Sequence, residues 1–118
     1  TAVGGTHVCL RRIDPELIYR IIQDEQITHM CAAPTVLTSM YSHPVADKQD
    51  LSGLTILTAG APPAPQVIRT IESMGAHLEH GYGLTETYGP HTICAEQIGW
   101  DILSEGERAK LKARQGVP

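Results

Sequence analysis

The spacing of hydrophobic residues along the chain predicts alternating helices and strands. Asp14 offers an N-cap oxygen and Pro15 suits the first helical position, and the apolar residues at 17, 18, 21 and 22 then share one helical face. Residues 54–58 form a nearly unbroken run of apolar and β-branched side chains, which is typical of a strand covered on both faces. A helix and a buried strand are therefore predicted at these two places.

The same patterns recur along the rest of the chain. The predicted strands are residues 6–10, 27–33, 54–58 and 77–82. The predicted helices are one that begins at Pro15, one from Pro34 to Tyr41, one from Pro65 to Met74 and one after the Ser104-x-x-Glu107 capping box. The order β-α-β-α-β-α-β predicts an α/β fold, with a parallel Rossmann-like sheet and flanking helices.

Composition narrows the classes of partner. A formal net charge of −4 provides no basic field for a nucleic acid or an anionic membrane. No apolar run approaches the roughly 20 residues that cross a bilayer, so no transmembrane segment is expected. Three widely spaced cysteines fit reduced thiols, which predicts an intracellular and most simply cytoplasmic protein. A peroxisomal or mitochondrial location stays open for a eukaryotic source.

Two predicted loops carry residues suited to ligand binding. Gly60-Ala61-Pro62 follows the strand 54–58, and residues 81–91 follow the strand 77–82. Ligands bind at the carboxyl ends of parallel strands, where both loops are expected.

The second loop has the groups that a nucleotide phosphate needs. Gly81 and Gly83 let the backbone approach an anion, Thr85 adds a hydroxyl donor, and Glu86 can hold a hard cation such as Mg²⁺. Tyr82 offers a flat face to a base. A plain strand-ending turn explains the same residues from backbone requirements alone, so both interpretations stay open at this point.

The stretch GYGLTET at residues 81–87 resembles the Tyr-Gly-x-Thr-Glu motif of the adenylate-forming superfamily. That superfamily comprises acyl-CoA synthetases, peptide-synthetase adenylation domains and beetle luciferases. Its members carry a Gly-Ala-Pro or Gly-Glu-Pro turn upstream of the motif, and Gly60-Ala61-Pro62 stands in that place. The similarity covers essentially the whole chain and points to acyl-activating CoA ligases.

The resemblance implies roles for residues that match the two motifs. It places Tyr82 against adenine, Thr85 at the α-phosphate and Glu86 on the catalytic Mg²⁺. The residues implied to border the nucleotide are Gly60, Ala61, Pro62, Gly81, Tyr82, Gly83, Leu84 and Thr85. The residues implied to lie near the acyl group or the pantetheine path are Ala33, Pro34, His80, Tyr88, Gly89 and Pro90.

The implied reaction has two steps. ATP and a carboxylic or fatty acid give acyl-AMP, and the thiol of CoA then displaces AMP. A different second step, as in adenylation domains or luciferases, and a non-catalytic nucleotide-binding module are the alternatives. The acid, its chain length and the oligomeric state are not readable from the residues.

Several motifs of the superfamily do not occur among the 118 residues. These are the Ser/Thr-Gly-rich phosphate loop that ends in Lys-Gly, the ribose-binding Thr-Gly-Asp and the catalytic lysine of the mobile C-terminal domain. Residues 1–118 are therefore expected to form part of an AMP-binding domain, truncated at both ends and nearly inactive alone. Lys110 and Lys112 are predicted to lie on the solvated face of an amphipathic helix.

Overall fold

The computed structural model of the chain describes residues 4–116 as a four-stranded sheet with helices packed on it. The helices are α1 (Pro15–Asp24), α2 (Pro34–Tyr41), α3 (Pro65–Ser73) and α4 (Glu105–Lys112). The strands are β1 (His29–Ala32), β2 (Thr55–Thr58), β3 (His77–Leu84) and β4 (Gly89–Ile93). Short 3₁₀ turns occur at Ala46–Lys48, Thr85–Thr87 and Trp100–Ile102. Within residues 4–116, no helix is long and apolar enough to cross a membrane.

The predicted α/β fold is confirmed, and the sheet, predicted to be parallel, is mostly so. The strands lie in the order β1-β2-β3-β4; β2 pairs in parallel with both β1 and β3, whereas β4 is antiparallel to β3. The predicted helix starts are also confirmed. The Asp14 carboxylate accepts a hydrogen bond from the Leu17 amide, and Ser104 and Glu107 form the capping box before α4.

Two predictions about the strands are wrong. Residues 6–10 are exposed and have no regular secondary structure, so their β propensity is not matched by a neighbouring strand on which to pack. Conversely, residues 89–93 form β4 although the segment begins Gly-Pro, a pair that disfavours strands. Pairing with β3 stabilises β4, and β3 itself runs on to Leu84.

The core lies on one face of the sheet. Ile56 and Leu78 of the central strands are fully buried among the apolar side chains of the four helices. On the opposite face, Thr55 and Leu57 are only partly buried, and Cys31 is exposed. Successive side chains of a strand alternate between the two faces, and the core covers only one of them. The expectation of a strand covered on both faces is therefore wrong for β2 within residues 4–116.

A buried ammonium group ties α4 to α3. Lys112 is 1% exposed, and its Nζ donates to the carboxylates of Glu72 and, at 2.8 Å, of Glu96. The prediction of a solvated Lys112 is therefore wrong. The hydrogen bond from Lys112 holds the pKa of the Glu96 carboxyl below its ordinary value. The His77 ring lies close enough to complete a set of metal-type ligands with the two carboxylates. However, the Lys112 ammonium already binds both of them.

Replacement of this ammonium should destabilise the protein. We expect Lys112→Met to lower the free energy of unfolding near neutral pH by about 3 kcal/mol, because two carboxylates lose their buried partner. Lys110→Met, on the exposed side of the same helix, is the matched control. Denaturant unfolding monitored by circular dichroism gives both values.

The difference between Lys112→Met and the wild type should depend on pH. Because the folded-state pKa of Glu96 is lowered, its contribution to stability is present above the ordinary carboxyl pKa and is lost as the pH falls through the folded-state value. The two unfolding free energies should therefore converge below about pH 4. The assigned ion pair would be contradicted if Lys112→Met and Lys110→Met lowered the free energy of unfolding equally. It would also be contradicted if the difference between Lys112→Met and the wild type did not change with pH.

Candidate functional site

An open groove lies where β2 and β3 end. Its volume is about 460 Å³. The residues that line it are Leu57, Ala59, Gly81, Tyr82, Gly83, Leu84, Thr85, Glu86, Gly89 and Pro90. The sequence predicted all of these except Leu57 and Ala59, which belong to the neighbouring strand and its exit. Only the parallel register of β2 with β3 reveals that these two residues face the motif.

The groove forms because β3 is longer than β2. Thr58, the last residue of β2, pairs with His80, and β3 continues for residues 81–84 beyond that pair. Over this extension β3 is paired with β4 on its other edge. The backbone of Gly81 to Leu84 thus borders the groove on the side that β2 leaves open.

Thr85 and Glu86 sit on a tight turn at the end of this extension. The turn Thr85–Thr87 is followed by Tyr88 in the left-handed region, with φ 61°, and by Gly89 with φ 113°. Thr85 and Glu86 are exposed, and none of the ion pairs among residues 4–116 uses Glu86. A hydroxyl and a carboxylate are thus presented side by side at the groove, a combination that suits a phosphate and a hard cation.

The hydroxyl of Thr87 connects the two sides of this turn. The Leu84 N–H donates to Thr87 Oγ1 at 2.8 Å. The same oxygen lies 2.9 Å from the carbonyl oxygen of Gly89 and 3.0 Å from that of Leu84, either of which can accept its proton. Sequence reasoning missed Thr87, although threonine hydroxyls are known to stabilise turns in this way.

Gly83 is required by the packing of the hairpin itself. A β-carbon at this position would lie 2.0 Å from the carbonyl oxygen of Gly89 and 2.8 Å from the Cα of Pro90. At Gly81 a β-carbon would meet the end of the Leu57 side chain at 3.3 Å and the Thr92 carbonyl oxygen at an ordinary contact distance of 3.7 Å. The backbone of β4 therefore approaches β3 at Gly83 more closely than any side chain allows.

The remaining predicted residues lie outside the groove lining. Gly60, Ala61 and Pro62 are exposed directly after Ala59, at the mouth of the groove. Ala33 and Pro34 connect β1 to α2 at the same end of the sheet, and Tyr88 is fully exposed.

His80 is buried and does not line the groove. It is 1% exposed, and its Nδ1 lies 2.8 Å from the carbonyl oxygen of Arg114, so Nδ1 carries a proton and donates it. The side chain points to the helix-covered face of β3, opposite to Gly81, because adjacent strand residues alternate. Cys94 is buried beside it, and burial raises the pKa of its thiol.

The fold and the groove define an α/β protein with a candidate ligand site at the carboxyl end of a mainly parallel sheet, the usual location in such folds. The sequence model of the family described as AMP-binding enzyme matches residues 1–118. The chain belongs to that family.

Similar proteins include several ligases. The chain is 48% identical over 118 residues to 4-hydroxybutyrate–CoA ligase 2 of Metallosphaera sedula, with 99% of this chain and 22% of the ligase covered. It is 51% identical over 117 residues to a protein of Arabidopsis thaliana named "Probable acyl-activating enzyme 5, peroxisomal", with 98% and 21% covered. The chain thus spans about a fifth of the length of these curated relatives.

Solved structures show the same fold. An amide bond synthetase variant from Marinactinospora thermotolerans superimposes with a TM-score of 0.78 at 29% sequence identity. The match covers 98% of this chain and 22% of the synthetase. The arrangement of helices and strands described above is therefore one that occurs within a longer enzyme chain.

The steric role of Gly83 can be tested by a pair of glycine substitutions. We expect Gly83→Ala to lower the free energy of unfolding by about 1–3 kcal/mol, because β4 must move away from β3. Gly106→Ala, in α4 with open space around it, should instead stabilise by about 0.5–1 kcal/mol. Urea unfolding of both variants provides the measurement. If Gly83→Ala left the free energy of unfolding unchanged, the backbones of β3 and β4 would not be in such close contact.

Proposed function

We propose that residues 1–118 are part of the adenylation domain of an AMP-forming acid–CoA ligase. Such an enzyme activates a carboxylic or fatty acid with ATP to acyl-AMP and transfers the acyl group to CoA. The observation that carries the proposal is the groove at the end of β3, lined by the residues 81–86 in a member of the AMP-binding enzyme family. The names of the related CoA ligases support the same reaction.

The geometry of the groove supports a division of roles. Tyr82 lines the groove and is followed by Gly83. This order suits a Tyr82 ring stacked on adenine, with the phosphates towards the turn at Thr85. Thr85 would donate a hydrogen bond to the α-phosphate. Glu86 would hold Mg²⁺, since its carboxylate is exposed and has no ion-pair partner among the described residues.

In the first step, a carboxylate oxygen of the acid attacks the α-phosphorus of ATP and pyrophosphate leaves. In the second, the sulfur of CoA attacks the acyl carbon and AMP leaves. Bound Mg²⁺ would offset the negative charge of the phosphates. The contribution of Thr85 is to have its hydroxyl in place before charge builds up on the transferred group.

A second candidate keeps the first step and changes the acceptor. The likeness to an amide bond synthetase supports an adenylating enzyme in which an amine replaces CoA. Supplying acid and ATP with either CoA or an amine, and identifying the acyl product, distinguishes the two.

The cytoplasm is the proposed location. The name of the Arabidopsis relative, which contains the word peroxisomal, supports the peroxisome as the alternative.

The metal role of Glu86 predicts a specific loss. In the longer protein that carries these residues, we expect Glu86→Gln to reduce acid-dependent ATP–pyrophosphate exchange by about 100-fold and to raise the Mg²⁺ concentration needed for half-maximal rate. Isotope exchange measured across a Mg²⁺ titration gives both quantities.

The matched control is Glu25→Gln, an exposed carboxylate at the end of α1. It should leave the exchange rate and its Mg²⁺ dependence unchanged. Full activity of Glu86→Gln would exclude the metal role. Nucleotide binding by the wild type without any exchange would support a non-catalytic binding module instead.

A further inference from the structure

The turn that presents Thr85 and Glu86 has little packing to hold its shape. Leu84 is 49% exposed and Tyr88 fully exposed, so neither end of the turn is held by a buried apolar side chain. Tyr88 adopts the left-handed conformation with φ 61°, which is unfavourable for a residue with a β-carbon. The conformation must therefore be stabilised by other interactions.

The side-chain part of that stabilisation comes from hydrogen bonds to Thr87. The backbone contributes a bond from the Tyr88 N–H to the Thr85 carbonyl at 3.2 Å, and Leu84 pairs with Gly89 in the β3–β4 ladder at the base of the turn. All side-chain hydrogen bonds described between residues 84 and 89 use Thr87 Oγ1, which accepts from the Leu84 N–H and can donate to the carbonyl of Leu84 or Gly89. One hydroxyl thus reinforces, from within the turn, the pairing between the end of β3 and the start of β4.

We propose that Thr87 is a positioning residue of the site. Its hydroxyl fixes the turn so that the Thr85 hydroxyl and the Glu86 carboxylate are directed to the groove before any substrate binds. Thr87 itself does not line the groove. The inference rests on the proposed function for its catalytic consequence, whereas the effect on the turn follows from the structure alone.

The test compares two substitutions in the longer protein. Thr87→Val has nearly the same shape and no hydroxyl, so we expect kcat of ATP–pyrophosphate exchange to fall by about 10- to 100-fold through misplacement of the two groups. Thr87→Ser keeps the hydroxyl and should restore most of the wild-type rate. Thr70→Val, where the hydroxyl bonds only to Gln66 on the surface of α3, is the matched control and should keep the full rate.

A second measurement examines the turn without nucleotide. Amide hydrogen exchange of Leu84 should be faster in Thr87→Val than in the wild type and slow again in Thr87→Ser, because the Leu84 N–H loses and regains its acceptor. The amide of Cys94, which donates to the His80 carbonyl at 2.8 Å elsewhere in the hairpin, should keep its protection in both variants.

The outcomes separate the two proposals. If the wild type neither binds MgATP nor catalyses exchange, the proposed function is wrong, and the amide data still decide whether Thr87 fixes the turn. The positioning role would be overturned if, in Thr87→Val, the Leu84 amide exchanged faster but ATP–pyrophosphate exchange kept the wild-type rate. An unchanged Leu84 amide, or a loss of rate that Thr87→Ser does not restore, would also overturn it.

Discussion

β3 is hydrogen-bonded along both edges, but to different partners in its two halves, and the site depends on this change of partner. Residues 77–80 pair in parallel with β2, whereas residues 81–84 pair with β4 on the opposite edge. Since β2 ends at Thr58, the second half of β3 has no neighbouring strand on that side within residues 4–116. The groove occupies the space where β2 would continue, and its polar groups come from the turn at the end of β3.

The helix side of the sheet holds β3 at the point where its partner changes. His80 donates from Nδ1 to the carbonyl of Arg114, just after α4, and the Cys94 thiol of the adjoining chain donates to the carbonyl of Leu111. Near the start of β3, the ammonium of Lys112 joins Glu72 to Glu96. Polar contacts from α4 and the segment after it thus hold the β3–β4 hairpin on the helix-covered face of the sheet, and the groove side is left free for a ligand.

Local signals account for what could be predicted from the sequence. Asp14, Pro15 and the Ser104–Glu107 pair each act within one helical turn, and the groove residues 81–86 were found because they are consecutive in the sequence and match one motif. The failures are non-local. The strand predicted at 6–10 has no pairing strand among residues 4–116, the Gly-Pro start of β4 is outweighed by pairing with β3, and Lys112 is buried by carboxylates distant in sequence. Leu57 and Ala59 join the site only through the register of β2.

The structure also changes the physical meaning of the glycine-rich motif. The sequence suggested that Gly83 allows a phosphate to approach the backbone, yet the absent side chain is already required by the Gly89 carbonyl oxygen, which would lie 2.0 Å from a β-carbon. The close approach of β4 brings Gly89 within 2.9 Å of the Thr87 hydroxyl, which also accepts from Leu84. Gly83 and Thr87 therefore act together, one by permitting the approach and the other by bridging it. A turn fixed in this way can keep an exposed hydroxyl and carboxylate in defined directions without burying either of them, which is what electrostatic preorganisation at a phosphate site requires.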